Sequence, residues 1–135
     1  MLYLLDTNVI SDLMRKRLEI RARLSLLGAS HAIVTCPIVR GEILFGIERL
    51  PDGRRRQELA ERARSALAEV PCESVPERAG DAYAQIKAAR QRQGLTLDEN
   101  DLWVAATAKA LGAVLVSTDR DFAQIDGLTL EDWTV

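Results

Sequence analysis

Along the chain, short unbroken apolar runs alternate with longer stretches in which apolar residues recur every third or fourth position. Leu2-Tyr3-Leu4-Leu5 is the first run. It is apolar without alternation and gives way to the turn-forming Asp6-Thr7-Asn8, which predicts a short strand buried on both faces. Helical stretches are expected from about Val9 to Met14 and from about Leu18 to Leu27, the second stopped by Gly28. Ala32 to Thr35 is a second strand candidate, and Pro37 suits the first turn of a helix. Val39, Ile43, Ile47 and Leu50 then make an apolar stripe on one helical face, broken by Pro51-Asp52-Gly53. Another stripe, Leu59, Ala63, Ala66 or Leu67, and Val70, runs through the Arg- and Glu-rich segment that follows.

Pro71 and Pro76 bracket a short extended piece, Cys72 to Val75. Ala79, Tyr83, Ile86 and Ala89 mark a helix to about Gln93, ended by Gly94. DLWVAATAKALG reads as an alanine-rich helix closed by Gly112. Ala113 to Val116 is the clearest strand of all, with Ser117-Thr118-Asp119 behind it, and one more short strand is expected near Leu128 to Leu130. Strands alternating with helices predict an α/β fold, a central parallel sheet flanked by helices on both faces. With 135 residues and no linker, repeat or low-complexity tract, a single domain over residues 1–135 is expected.

Composition narrows the chemistry. The formal charge is −2 and the sequence pI about 5.5, so nucleic acid would not be gripped by bulk electrostatics, only by local patches or recruited cations. No apolar stretch approaches the roughly 18 residues of a membrane span, and Asp6 interrupts the first run too early for a signal peptide; a cytoplasmic protein is expected. Cys36 and Cys72 fit no ligand spacing and read as small buried hydrophobes. The one histidine, His31, excludes any mechanism that needs two imidazoles and reads as structural. Glycine-rich phosphate loops are absent.

What the chain does offer is acids at the ends of strands. In open parallel sheets, ligands bind beyond the carboxyl ends of the strands. LYLL runs into Asp6 and AVLV into Asp119, so two parallel central strands would deliver both to one edge. Glu42, early in the Val39 stripe, and Asp101, in the first turn of the alanine-rich helix, would join them. Each has a plainer explanation: Asp6 as a helix N-cap, Asp101 as a complement to a helix dipole, Glu42 as a solvated side chain, Asp119 as a turn residue with Asp121 as its rival. Together they would repel, since one pair of charges 4 Å apart costs about 1 kcal/mol in water and about 4 kcal/mol at an effective dielectric of 20. Such a cluster persists if a divalent cation resides there or if the acids hold protons. An all-oxygen donor set suits Mg²⁺, with Mn²⁺ as a substitute, and that pairing favours phosphodiester hydrolysis.

The segments LLDTN, IVRGEILFGIERLPDGRRR, NDLWVAATAKALGAVLVSTDRDF and IDGLTLEDW resemble the PIN-domain ribonucleases, most closely the VapC-type toxins of type II toxin–antitoxin pairs. The likeness runs from Leu4 to Trp133, with the motifs in the usual order. It implies a PIN-like three-layer sandwich, an Mg²⁺- or Mn²⁺-dependent endoribonuclease, a homodimer, and a cognate antitoxin that blocks the active site. By motif, Asp6, Glu42, Asp101 and Asp119 are the implied catalytic and metal-holding acids, Asp6 and Asp101 the principal ligands. Thr7, Asn8, Ser117 and Thr118 match the polar positions that orient them. At the fourth acid the match is looser, because relatives often carry Asn there and Asp121 lies close by.

RNA backbone contacts are candidates at Arg15, Lys16, Arg17, Arg40 and Arg54 to Arg56, although Arg54 to Arg64 alternates with Glu58 and Glu61 as a solvated helix would. Trp103 and Trp133 read as core or dimer packing. Two rival readings stand beside the nuclease. An aspartyl phosphatase would want a second Asp two residues after the first, where this chain has Asn8. A binding module with a vestigial acid pocket is the other.

Overall fold

The computed structural model describes residues 1–15, 17–27 and 31–134; the expected helix stop at Gly28 and the candidate contact at Lys16 lie outside them. The order is β1 (Leu2–Leu5), α1 (Thr7–Met14), α2 (Leu18–Leu27), β2 (Ala32–Val34), α3 (Pro37–Glu48), α4 (Arg54–Glu69), α5 (Arg78–Arg92), α6 (Glu99–Leu111), β3 (Val114–Val116), a 3₁₀ turn (Arg120–Gln124) and β4 (Leu130–Glu131). The sheet runs β2-β1-β3-β4 with every pairing parallel. From β1 the chain moves one way to β2, then returns past β1 to β3, so the order reverses between β1 and β3. That is where a parallel sheet opens a ligand crevice.

Both faces of the central strands are covered. The adjacent residues Leu4 and Leu5 point to opposite faces and each is 0% exposed, and all of β3 is buried. Continuous burial is why these strands read as unbroken apolar runs. The α3 stripe buries Val39, Ile43 and Ile47, and α4 buries Ala63, Ala66 and Leu67. On α6 the small side chains of Ala105, Ala106 and Ala108 are fully buried, which lets that helix pack closely against α5 and β3. Gly112 ends it with φ at 66°, a left-handed conformation that costs glycine nothing, and the Ala113 amide bonds back to the Ala108 carbonyl at 2.8 Å. The chain is thereby turned straight into β3.

Several expectations need correction. The first helix begins at Thr7 rather than Val9, because extended Asp6 (φ −76°, ψ 170°) hands directly into helical backbone. The last strand is Leu130–Glu131, displaced from Leu128–Leu130: pairing with β3 fixes its register, and the turn through Gly127 occupies the earlier positions. The third helix stops at Glu48, short of Leu50. Cys36 is buried as expected but Cys72 is exposed, since its piece of extended chain pairs with Thr35 at the sheet margin. Trp133 is buried against Tyr3, with ring centres 5.6 Å apart, and His31 meets the same tyrosine edge-on, away from the acids.

Leu115, fully buried in β3 between β1 and β4, tests the core. Leu115→Ala is expected to lower stability by about 2–5 kcal/mol, read as a lower urea midpoint at unchanged slope; a loss under about 1 kcal/mol would contradict this packing.

Candidate active site

The register of β1 against β3 builds the site. Leu5 pairs with Val116, and the Asp6 amide donates to the Val116 carbonyl at 3.0 Å, so Asp6 and Ser117 leave the sheet side by side. Asp6 is only 4% exposed. Its Oδ2 accepts from the Ser117 hydroxyl at 2.8 Å and from Asn8 Nδ2 at 3.3 Å. Ser117 Oγ in turn accepts from Asn8 Nδ2 at 3.1 Å and from the Asp119 amide at 3.1 Å. One hydroxyl proton and two lone pairs are thus all engaged. Asn8 Oδ1 takes the Thr118 amide at 3.2 Å, which locks the loop after β3 onto the start of α1.

Asp6 holds the N-cap position of α1, but its side chain makes no capping bond. Its Oδ1 is buried and, among the described residues, has no hydrogen-bond partner. An orphaned carboxylate oxygen in a protein interior is costly enough to require an explanation. The surroundings add to the cost. Burial raises the Asp6 pKa, against the pull of the nearby Thr7 amide and the hydrogen bond from Ser117, and the charge of Asp119 raises it a little further. Glu42, half-buried on α3, accepts the Thr7 hydroxyl at 3.1 Å, so it is not a freely solvated side chain. Its pKa is raised by burial, and by the charges of Asp6 and Asp98. Asp101 is pushed from its ordinary 3.8 up to about 7, first by burial, then by Asp6, Glu42, Asp119 and Asp98.

All four acids read from the sequence therefore share one electrostatic environment. The alternatives at each fall differently. Asp98 caps α6, taking the Asn100 amide at 3.2 Å, and Asp101 lies in the first turn, as expected, where it also complements the helix dipole. Asp119 does serve its turn, since Oδ1 accepts the Asp121 amide at 2.9 Å. Asp121 is exposed and is absent from the charges acting on Asp6, Glu42 and Asp101. Of the two, Asp119 is the one whose charge acts on Asp6 and Asp101.

Two residues went unread in the sequence. Asp98 adds a fifth negative charge to the field; its place immediately before the helical segment, in LTLDEND, was the available sign. Arg90 is the other. It is 6% exposed, yet its guanidinium meets carbonyls rather than a carboxylate: Nη2 donates to Thr96 O at 3.0 Å and Nη1 to Asp121 O at 3.5 Å. It ties the loop leading to Asp98 and Asp101 to the turn that follows Asp119. Nothing in a helical stripe marks an arginine for burial.

The donor set fits a hard divalent cation. It is oxygen-only, the pKa values of Asp6, Glu42 and Asp101 are raised within it, and among the described residues the buried Asp6 Oδ1 lacks a hydrogen-bond partner. Among the described residues no three His, Cys, Asp or Glu side chains already close around one point. Mg²⁺ tolerates that, because it retains several waters and takes one or two carboxylates directly.

A model of the PIN domain matches residues 3–128. The chain belongs to the PIN-domain family, and its PIN domain is of the VapC type. Ribonuclease VapC1 of Haemophilus influenzae (strain R2866) is 34% identical over 99% of both chains. The VapBC-1 structure from nontypeable Haemophilus influenzae superposes with a TM-score of 0.88 at 28% identity, covering 100% of each chain. VapBC2 of Rickettsia felis, solved on a DNA fragment from its promoter, shares the fold, with a TM-score of 0.91 at 24% identity over 98% of this chain and 99% of that one. The parallel α/β sandwich expected of a PIN-like domain is the fold observed.

The raised pKa of Asp101 fixes the sign of a pH effect in metal-free protein. Between about pH 4 and 7 the folded chain holds a proton on Asp101 that the unfolded chain has released, so stability falls as pH rises through that window. Asp101→Asn is expected to raise the melting temperature in EDTA at pH 8 and to flatten the decline from pH 5 to 8. An unchanged profile would place Asp101 outside the repelling cluster.

Proposed function

We propose that this chain is the toxin of a VapBC-type toxin–antitoxin pair, an endoribonuclease that hydrolyses RNA phosphodiester bonds with Mg²⁺, or Mn²⁺ in its place, at the pocket of Asp6, Glu42, Asp101 and Asp119. The observation that carries this reading is Asp6 Oδ1, a buried carboxylate oxygen without a hydrogen-bond partner among the described residues, beside Glu42 and Asp101, whose pKa values are raised in the same pocket. The relatives support the reaction class: VapC1 of Haemophilus influenzae is named a ribonuclease, and matching structures include complexes named VapBC.

Asp6 and Asp101 would hold the ion, directly or through water, with Glu42 and Asp119 completing the pocket. When bound, the ion acidifies water and offsets the charge that develops on the phosphate. The chain's own part is positioning. Ser117 and Asn8 occupy Asp6 Oδ2 and leave Oδ1 available; Thr7 orients Glu42; Asn8 holds the Thr118 amide and so places Asp119. Burial of Asp6 keeps bulk water from competing for the ion. A homodimer and a cognate antitoxin in the cytoplasm complete the proposal. No helix among the described residues is long and apolar enough to cross a membrane.

Purified, antitoxin-free protein should cut a pool of transfer and ribosomal RNA at discrete positions with Mg²⁺ or Mn²⁺ and not in EDTA. Asp6→Asn should stay folded and lose cutting. Cutting that persists in EDTA would refute metal dependence, and none with either ion, by folded protein, would leave a binding module. Asp119→Ala should reduce cleavage substantially while Asp121→Ala leaves it near wild type; the reverse order would move the fourth acid to Asp121.

A further inference from the structure

A polyanion cut at a pocket of carboxylates must be held there by cations, and a chain of net charge −2 has no excess to spread around. Which arginines are free is therefore informative. Arg17 is engaged by Glu19, Arg21 by Glu69, Arg23 by Glu131, Arg54 by Glu58, and Arg56 by Asp52 and Glu48. Arg54 and Arg56 are thus occupied, although the sequence had offered them to RNA. Arg55, between them, and Arg62 have no acid within ion-pair distance among the described residues. Seven residues apart on α4, they share one helical face. That face lines a cleft of about 360 Å³ between α1, α3 and α4, which Arg15 also lines, its one ion pair among the described residues a loose 3.6 Å contact with Asp12. The same cleft is lined by Thr7 and Glu42, the hydrogen-bonded pair of the acid pocket. A second cleft, with Arg40 and Arg64, includes none of the four acids.

We propose that the cleft of Arg15, Arg55 and Arg62 seats the RNA backbone on one side of the bond to be cut, Arg55 and Arg62 donating to phosphate oxygens. The proposal rests on the nuclease reading above. Unpaired guanidinium groups match phosphate with two parallel donors. The apolar residues between them, Ile43 and Leu59 among them, give a base or ribose face something to lie against. Continuity with Glu42 and Thr7 puts the held strand beside the carboxylates rather than elsewhere on the surface. It also explains how an acidic pocket on an acidic protein can receive a polyanion.

The test is binding of a fluorescein-labelled single-stranded RNA to full-length protein by anisotropy across a salt series, in the Asp6→Asn background so that the strand survives. Arg55→Gln/Arg62→Gln should weaken binding by roughly tenfold or more and flatten the plot of log affinity against log salt by about 0.7 per arginine. Both positions are exposed, so folding should be retained. Arg64→Gln/Arg92→Gln removes the same charge elsewhere and should have a much smaller effect. In otherwise wild-type protein, the Arg55/Arg62 change should raise KM for cleavage with little change in kcat. Equal losses from both double variants would reduce the effect to bulk charge and overturn the cleft. Unchanged RNA affinity with release of a co-expressed antitoxin would assign the cleft to a protein partner instead. RNA held but never cut would sink the nuclease reading and leave the cleft standing.

Discussion

The site depends on one backbone hydrogen bond and the register it records. Because the Asp6 amide reaches the Val116 carbonyl, the last residue of β1 lies beside the last of β3, and the two chains leave the sheet together. Everything else at the pocket follows from that adjacency. Ser117 can reach Asp6 Oδ2 because they are neighbours across the sheet end, and Asn8 can bridge both because α1 begins immediately after Asp6. Sliding β3 by one residue would carry Ser117 to the other face, and the carboxylate would lose its principal donor.

Around that point the chain tolerates mutual repulsion that ordinary folding would select against. Asp6, Glu42, Asp101 and Asp119, with Asp98 beside them, arrive on separate segments: the end of β1, the second turn of α3, the start of α6 and the loop after β3. Their repulsion is opposed by a core that neither knows nor needs the charges, built from fully buried residues such as Leu4, Leu5, Ile10, Leu115 and Phe122. Arg90 contributes from inside that framework. Its buried guanidinium satisfies two carbonyls on the very segments that carry Asp101 and Asp119, and so couples the placement of one acid to the other. Stability and the pocket are therefore separable: the sheet supplies the first, and strained electrostatics define the second.

Charge is also distributed unevenly on the outside. The arginines of α4 look alike in sequence, but Arg54 pairs with Glu58 of its own helix, Arg56 with Asp52 and Glu48 before it, and Arg55 lines the cleft beside Glu42. A helix turns about 100° per residue, so consecutive arginines cannot share a role. A weakly acidic protein can in this way keep a cationic surface next to an anionic pocket.

What the sequence determined by itself was whatever local chemistry dictates. The unbroken runs LYLL and AVLV announced buried parallel strands; Gly94 and Gly112 ended helices because each adopts a positive φ there; the Leu18–Leu27 helix was legible to the residue. The acids were legible too, because a carboxylate directly after a buried strand in an α/β pattern has few places to go. Tertiary structure decided the rest. That Cys72 would be exposed, that β4 would lie two residues later, and that the charge of Asp119 would fall on Asp6 and Asp101 each depends on partners far away along the chain. So does the rise in the Asp101 pKa, which needs burial and the distant charges of Asp6, Glu42 and Asp119 as well as nearby Asp98. Hydrophobic period and turn chemistry act over a few residues and can be read in line. Electrostatic neighbourhood and unpaired side chains are properties of what the fold brings together, and exist only once it has closed.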